Sequence, residues 1–480
     1  MDEGFITFPK DKLYTSVATP PGKGDVITAL TQTLFSPPPP VGQNPAWQEV
    51  NKRLNTDLRM NIVISTDYRA KLGATMAGGD LPDFIYLVLP TQSLPQFLKA
   101  QCADLTSYLS GTAVRDYPNL AALPTLSWKA TVFSGGIFAV PIPHAATGFV
   151  LYRNMNRMKE VGDTQPKTSD EFKKMLQQLT NPASNRWALG ATGGTLGLNE
   201  FAQMFGVPNN WRLDRGGKLV RNFEAPEYKA AVGFVRDLWA AGVFHPNSLI
   251  YTNVSSRGDF VAGRFAMLEG AWANYIGWWR MGATNNPPTQ IRPQLPLNLT
   301  GGRPLYWQGV GNFGITALKK AGAGRVKELL GVLNLLAAPF GSEEELLLDY
   351  GVEGPDFAWD VKGNPVPTKK GSQDITAPWR YLTAHPEVLY NPADPTYAKV
   401  VQSDQQALLA ASVQDPTLGY YSPTDAAKGQ TLSQMVNDRL AQILTGRSAL
   451  SDFDRTVQDW AAQGGEQIRG EYEHAISSNA

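Results

Sequence analysis

Along the first hundred residues, apolar runs of strand period alternate with stretches of helix period. Asp25–Phe35 (DVITALTQTLF) reads as a strand. Pro45–Leu58 reads as a helix, with Trp47, Val50 and Leu54 at helical spacing. Asn61–Thr66 (NIVIST) is a second strand, Asp67–Ala77 a second helix, and Phe84–Val88 (FIYLV) a short apolar strand bounded by proline. This βαβαβ order predicts a mostly parallel sheet. Four prolines at 37–40 make a stiff extended loop at the carboxyl edge of that sheet, where open α/β sheets bind ligands.

A second unit begins near Leu151. Thr168–Glu171 (TSDE) predicts a capping box opening the helix EFKKMLQQL. Tyr228, Val232, Val235 and Trp239 form one apolar stripe over Glu227–Ala241, ended by Gly242, and LDRGGKL at 213–219 predicts a hairpin turn before it. Thr284–Pro304, with five prolines, reads as a loop between lobes. TALKKAGAGRVKELLGVLNLLAAPF then holds another helix, and Ser342–Glu345 caps a further one. Leu432, Val436, Leu440 and Ile443 form a stripe in the tail, followed by Phe453, Val457 and Trp460. These are packing stripes.

Gly258–Arg280 concentrates Trp272, Tyr275, Trp278 and Trp279 within eight positions. Such a cluster either packs in a core or presents rigid faces suited to the apolar sides of pyranose rings. Composition narrows the ligand class. Lysine plus arginine equal aspartate plus glutamate at 43 each, so no global field attracts nucleic acid or an anionic membrane. Twelve tryptophans and seventeen tyrosines against 18% charged residues favour a neutral ligand held by stacking and hydrogen bonds. With 480 residues the chain exceeds one compact core and implies two large lobes or about three domains.

Catalytic chemistry finds little footing. The four histidines, His144, His245, His385 and His474, show no metal-ligand spacing, and the lone Cys102 reads as a buried thiol, so no metal or cofactor is expected. No G-x-S-x-G, H-E-x-x-H or P-loop pattern occurs. GVGNFG at 309–314 matches G-x-G-x-x-G formally, but the strand, turn and long helix of a dinucleotide site are missing around it. Like GATGGTLG at 190–197, it reads instead as backbone made to approach another segment or a ligand closely. A glycosidase needs only two carboxylates that meet in space, so that reaction class stays open.

Several segments taken together resemble a family. GDLPDFIYL (79–87), GIFAVPIP (136–143), VLYRNMNRMKEVGDTQPKTSDEF (150–172), DFVAGRFAMLEGAW (259–272), YGVEGPDFAWD (350–360) and VQDWAAQGGEQIRGEYEHA (457–475) occur in the order found in extracellular solute-binding proteins of bacterial ABC importers. They are similar to the family 1, carbohydrate-type branch and its large lipoprotein subgroup. The resemblance implies an α/β fold of two lobes, periplasmic-binding-protein-like, with a hinge and a ligand cleft between them. It places lobe 1 at 1–146, lobe 2 at 150–303, a return through lobe 1 at 304–375, and a helical part, mainly of lobe 2, at 376–480.

By the same resemblance Trp272 faces a sugar, flanked by Glu269 and Asn274. Tyr86, Gln92 and His144 lie at the first lobe's edge, Asn199 and Glu200 on a loop of the second, and Tyr306, Trp307 and Gln308 at the return crossing. Trp278 and Trp279 depart from the usual motif, and one of them is expected to pack. No catalytic residue is implied. The implied partners are a carbohydrate ligand and the permease subunits of the importer, with the protein a monomer. Proteins of this kind are exported and tethered by an acylated cysteine, so a sequence without that cysteine or a signal region is read as the soluble part. A secreted carbohydrate-active enzyme and a peptide-binding receptor are the competing readings.

Overall fold

A computed structural model of the chain describes residues 1–91 and 93–478. It divides into two compact units, each built from separate stretches of sequence. Unit 1 comprises Met1–Ala145 and Val310–Gln402, and unit 2 comprises Ala146–Gly309 and Ser403–Ala480. The chain therefore passes from one to the other three times.

In unit 1 the five-stranded sheet runs, in spatial order, Asp57–Ile64, Val26–Thr33, Phe84–Leu87, Asn312–Leu318, Ala139–Pro143. The first three pair in parallel, and Asn312–Leu318 is antiparallel to both of its neighbours. The predicted βαβαβ order is present with shifted boundaries. The Pro45–Leu54 helix opens on Asn44, whose side chain accepts from the Trp47 amide at 2.9 Å, and closes at Asn55 in the left-handed conformation (φ 50°). Asn55 thus stops the helix short of Leu58, which instead begins the next strand's core. All four residues of Phe84–Leu87 are buried, as a central strand covered on both faces requires. Ile27, Trp47, Val50 and Phe84 share a core with Val326, Leu330 and Leu333 of the returning chain. Cys102 is fully buried, which pushes its thiol up to about 12.

Unit 2 holds a four-stranded sheet in the order Ile291–Pro293, Phe149–Asn154, Phe265–Ala271, Trp187–Leu189. The segment 284–304, read from its prolines as an interlobe loop, belongs wholly to this unit. Its Ile291–Pro293 strand pairs with Tyr152–Asn154, anchored by the Gln294 amide on the Leu151 carbonyl at 2.7 Å. Prolines forbid a long ladder there but permit a three-residue edge strand. At Thr168 the hydroxyl caps the Glu171 amide, yet the Glu171 carboxylate takes the Lys167 amide at 2.8 Å, one residue before the reciprocal partner of a capping box. Hairpin strands Trp211–Leu213 and Leu219–Arg221 flank the GG turn as expected. The tail stripe Leu432, Val436, Leu440 and Ile443, with Phe453 and Trp460, joins a core containing Phe172, Phe201 and Phe234.

The stretch 376–480, expected mainly in the second lobe, is divided: 376–402 lie in unit 1 and 403–480 in unit 2. Trp379 packs edge-on against Trp47 (ring centroids 6.1 Å), Thr383 donates to the Pro141 carbonyl, and Val388–Tyr390 pairs in parallel with Glu3–Phe5. Burying those aromatics outweighs the helical pattern that begins further on.

Within unit 2 the entering and leaving passages lie side by side. Thr147 pairs with Gln308, the Gly309 amide donates to the Ala146 carbonyl at 2.8 Å, and Tyr306 holds the Gly148 amide and the Phe149 carbonyl with its hydroxyl. A Cβ at Gly309 would sit 2.9 Å from the Gly148 Cα, so only glycine permits this contact. Gly309→Ala is therefore expected to destabilise the protein by ~1–3 kcal/mol. Gly277→Ala, exposed in the Asn274–Ala283 helix with nothing within 4 Å of its new methyl, is expected to be neutral or to stabilise by ~0.5–1 kcal/mol. Thermal melts of the two variants against the parent check the pair.

Candidate functional site

The Trp187–Leu189 and Phe265–Ala271 strands of unit 2 run parallel, so their carboxyl ends and the segments that follow share one end of the sheet. The Phe149–Asn154 strand, antiparallel to its neighbour, begins at that same end, directly after the chain enters the unit. This is where a ligand-binding edge is expected from the topology.

Two carboxyls meet there. Glu269, near the end of its strand, is 6% exposed and accepts from the Thr192 amide and from the Thr192 hydroxyl at 2.8 Å. Glu200, in the Leu198–Met204 helix, is 7% exposed. Gly197 lies between them in the left-handed conformation (φ +67°). A Cβ there would be 3.4 Å from Glu269 Oε2 and 3.7 Å from Glu200 Oε2. Burial, reinforced by the charge of Glu269, pushes Glu200 from the ordinary 4.5 up to about 8. Burial pushes Glu269 up to about 7, against the stabilising Thr192 hydrogen bonds. At neutral pH the pair therefore shares protons and offers both donor and acceptor.

Beside Glu200 lies a cavity of about 30 Å3, lined by Glu200, Gln203, Gln294, Tyr306 and Phe149 among mostly aliphatic residues. That is room for about two water-sized molecules. Phe149 is 52% exposed. Trp307 is held at half burial by its amide on Gln203 Oε1 and its indole N–H on the Val207 carbonyl, both 2.8 Å. Gln308 is fixed through its backbone, whose carbonyl accepts from Asn209 Nδ2 at 3.0 Å. The fold thus gathers Glu200, Glu269, Tyr306, Trp307 and Gln308 from three separate segments.

The other expected residues are placed as follows. Trp272 is 2% exposed, edge-on to Tyr275, with Asn274 half-buried two residues on. Trp278 packs against Tyr152 and Phe260, while Trp279 stays half-buried. Asn199 is exposed. In unit 1, Tyr86 is fully buried in its strand, and His144 sits 3.5 Å from Glu387. Both rings flank Phe313, each with centroids 6.3 Å away. Gln92 lies outside the described residues. Thr192, Gln203, Phe149 and Phe313 were missed. Each is ordinary in sequence and becomes notable only by its neighbours.

A larger hollow of about 470 Å3 lies at the opposite end of the same unit 2 strands. Its polar groups are engaged with one another and with backbone, as with Arg157 on Glu160 and on the Gly263 and Leu179 carbonyls. Among the described residues of unit 1, Glu345, Asp349 and His385 form a group of metal-ligating type, their ligand atoms within 4.8 Å of one another. Their charges balance internally. Burial works against a charged His385, yet the hydrogen bond and charge of Asp349 raise it to about 9, while burial and Asp349 raise Glu345 to about 8.

The raised carboxyls fix a sign for pH dependence. Glu200 and Glu269 hold protons in the folded chain that the unfolded chain releases above about 4.5, so unfolding releases protons. Stability is then fully present below that value and falls as pH rises through about 7 to 8. The melting temperature of Glu200→Gln is expected to fall less than the parent's between pH 5 and 9, with the difference on the order of a few kcal/mol at the alkaline end. Melts across that range, parent against variant, check it.

Comparison with known proteins agrees with this architecture. The chain is 22% identical over 465 residues to the polygalacturonan/rhamnogalacturonan-binding protein YtcQ of Bacillus subtilis (strain 168), covering 92% of this chain and 90% of that one. Its fold matches the alginate-binding protein AlgQ2, solved without calcium ion, with a TM-score of 0.70 at 13% identity over 96% of this chain and 100% of the other. It also matches the N-glycan transport solute-binding protein NgtS of Streptococcus pneumoniae, solved with Man1GlcNAc, with a TM-score of 0.63 at 17% identity over 94% and 100%. No helix among the described residues is long and apolar enough to cross a membrane. Residues 48–331 match the family described as bacterial extracellular solute-binding protein, and with more than half of its length matched, this two-lobed α/β chain belongs to that family.

Proposed function

We propose that the solute this protein binds is a carbohydrate, in the form of an oligosaccharide, and that part of its site is the carboxyl-bearing end of unit 2. In this reading the chain is the solute-binding component of an ABC importer and delivers the saccharide to the permease. The observation that carries it is a convergence of hydrogen-bonding groups beside open aromatic surface. Glu200, Glu269, Gln203 and Tyr306 stand next to the half-exposed Phe149 and the half-buried Trp307. A sugar ring needs both. Its apolar face stacks on an aromatic plate for about 1 kcal/mol beyond area burial, while each hydroxyl left unpaired costs ~1–3 kcal/mol. Specificity then rests on the polar set and affinity on the aromatic one.

Trp272, Asn274 and Asn199 extend this set within unit 2, and Tyr86 and His144 with Phe313 are its counterpart in unit 1. Asn199 and His144 keep enough exposure to reach a ligand directly, whereas Tyr86 and Trp272 support their neighbours. The saccharide-binding names of the relatives above support the reading.

A thermal-shift screen of linkage-diverse mono- and oligosaccharides, with peptides as controls, tests it. Ligand at about 100 times its dissociation constant stabilises a fold by ~2.7 kcal/mol. A saccharide that raises the melting temperature and is recovered intact is the expected result. A response only to peptides, or recovery of cleaved sugar, overturns it in favour of a peptide receptor or a carbohydrate-active enzyme. With a saccharide in hand, Phe149→Ala is expected to weaken binding about fivefold, the loss of one stacking contact, with the unliganded melting temperature nearly unchanged because the ring is half-exposed.

A further inference from the structure

Unit 1 holds a side-chain cluster that the saccharide reading does not use. Glu345 and Asp349 stand one turn apart on the Glu343–Tyr350 helix, and His385 precedes the Val388–Tyr390 strand. We propose that Glu345, Asp349 and His385 form a binding site for one divalent transition-metal ion, of the zinc or manganese kind, which ties the His385 stretch to that helix. The inference is independent of the carbohydrate reading.

The geometry of the ligand atoms is the first observation. One such atom from each residue lies within 4.8 Å of the other two, and His385 Nε2 is 3.7 Å from Asp349 Oδ2. Two ligands bound at about 2.1 Å to a tetrahedral ion stand ~3.4 Å apart, so small side-chain rotations close the set. Positions four apart on a helix share one face, which turns both carboxyls to the same place. Like charges at that spacing repel unless something positive stands between them. One imidazole nitrogen with two carboxylates suits zinc or manganese, whereas calcium and magnesium favour oxygen alone.

The second is what holds the ligands from behind. His385 Nδ1 lies 2.6 Å from the Pro386 carbonyl. A carbonyl only accepts, so Nδ1 carries a proton, and in the neutral ring the lone pair is on Nε2, the atom turned toward the acids. A backbone carbonyl orients metal-bound histidines in the same way. Glu345 is 1% exposed, and its Oε2 is fixed by the Gly341 amide at 3.0 Å, while its Oε1 accepts no hydrogen bond from any described residue. Asp349, with 39% of its side chain exposed, gives an ion a way in. Exposed Arg380 acts on Asp349 only from beyond ion-pair distance. The protonated cluster and the metal-bound one are alternatives, because protons and metal compete for the same atoms.

Calorimetric titration of the untagged full chain, first stripped by a chelator, with Zn2+ and Mn2+ at about pH 7.5 tests this, with Ca2+ and Mg2+ as controls. One Zn2+ per chain is expected to bind, to release protons that make the measured heat depend on the buffer, and to raise the melting temperature. His385→Gln and Asp349→Asn are each expected to weaken that binding about 100-fold, whereas His474→Gln, at an exposed histidine of unit 2, leaves it unchanged. Asp349→Asn serves alone if His385→Gln fails to fold. No site for Zn2+ or Mn2+, an affinity that survives the substitutions, or tighter binding of Ca2+ than of Zn2+ overturns the proposal.

Discussion

The contact of Gly148 with Gly309 is the constraint on which unit 2 is built. A chain that leaves one compact unit, forms another and returns must bring two backbone passages into the second unit through one place. Here they touch at van der Waals distance, with Thr147 bridged to Gln308 and the Gly309 amide on Ala146. A third passage joins them, as Gln405 reaches the Thr147 hydroxyl at 3.5 Å. Tyr306, Trp307 and Gln308 stand where they do because the leaving passage is pinned to the entering one.

That arrangement explains why polar chemistry collects at this end of the sheet. The Phe149–Asn154 strand starts from the entering passage, and the Phe265–Ala271 strand ends beside it. Phe149, Glu269 and Tyr306 thus share one neighbourhood though more than a hundred residues separate some of them. The sheet supplies rigid placement and the glycine contact leaves room. The cost is a pair of buried acids with raised proton affinities, a departure from the usual rule that buried charges are paired. Departures of that kind mark sites that act on a ligand more often than sites that merely hold a fold together.

Unit 1 offers a contrast. Its titratable cluster, the buried Glu345 with the more exposed Asp349 and His385, is closed on itself as an ion pair beside a neutral acid. Tyr275 and Arg292 likewise converge on the buried Asp404 just after the last passage into unit 2, and satisfy it.

Hydrophobic periodicity alone determined the βαβαβ start, the Pro226–Ala240 helix and the tail stripes, because side chains at strand or helix spacing share one face whatever they pack against. Local chemistry determined the Ser342 and Thr168 caps, which need only four consecutive residues. The boundaries of the units escaped it. Proline content made 284–304 look like a linker, whereas the edge strand at Ile291 ties it into unit 2, and burial of Trp379 against Trp47 sets where the stretch 376–480 divides between the units. Among the site residues, motif resemblance pointed to Glu269, Glu200 and Trp307. It could not tell that Tyr86 is sealed in its strand, nor that Thr192, Gln203 and Phe149 belong beside the acids. Those facts depend on distance between segments far apart in sequence, and only the packing of the folded chain sets that distance.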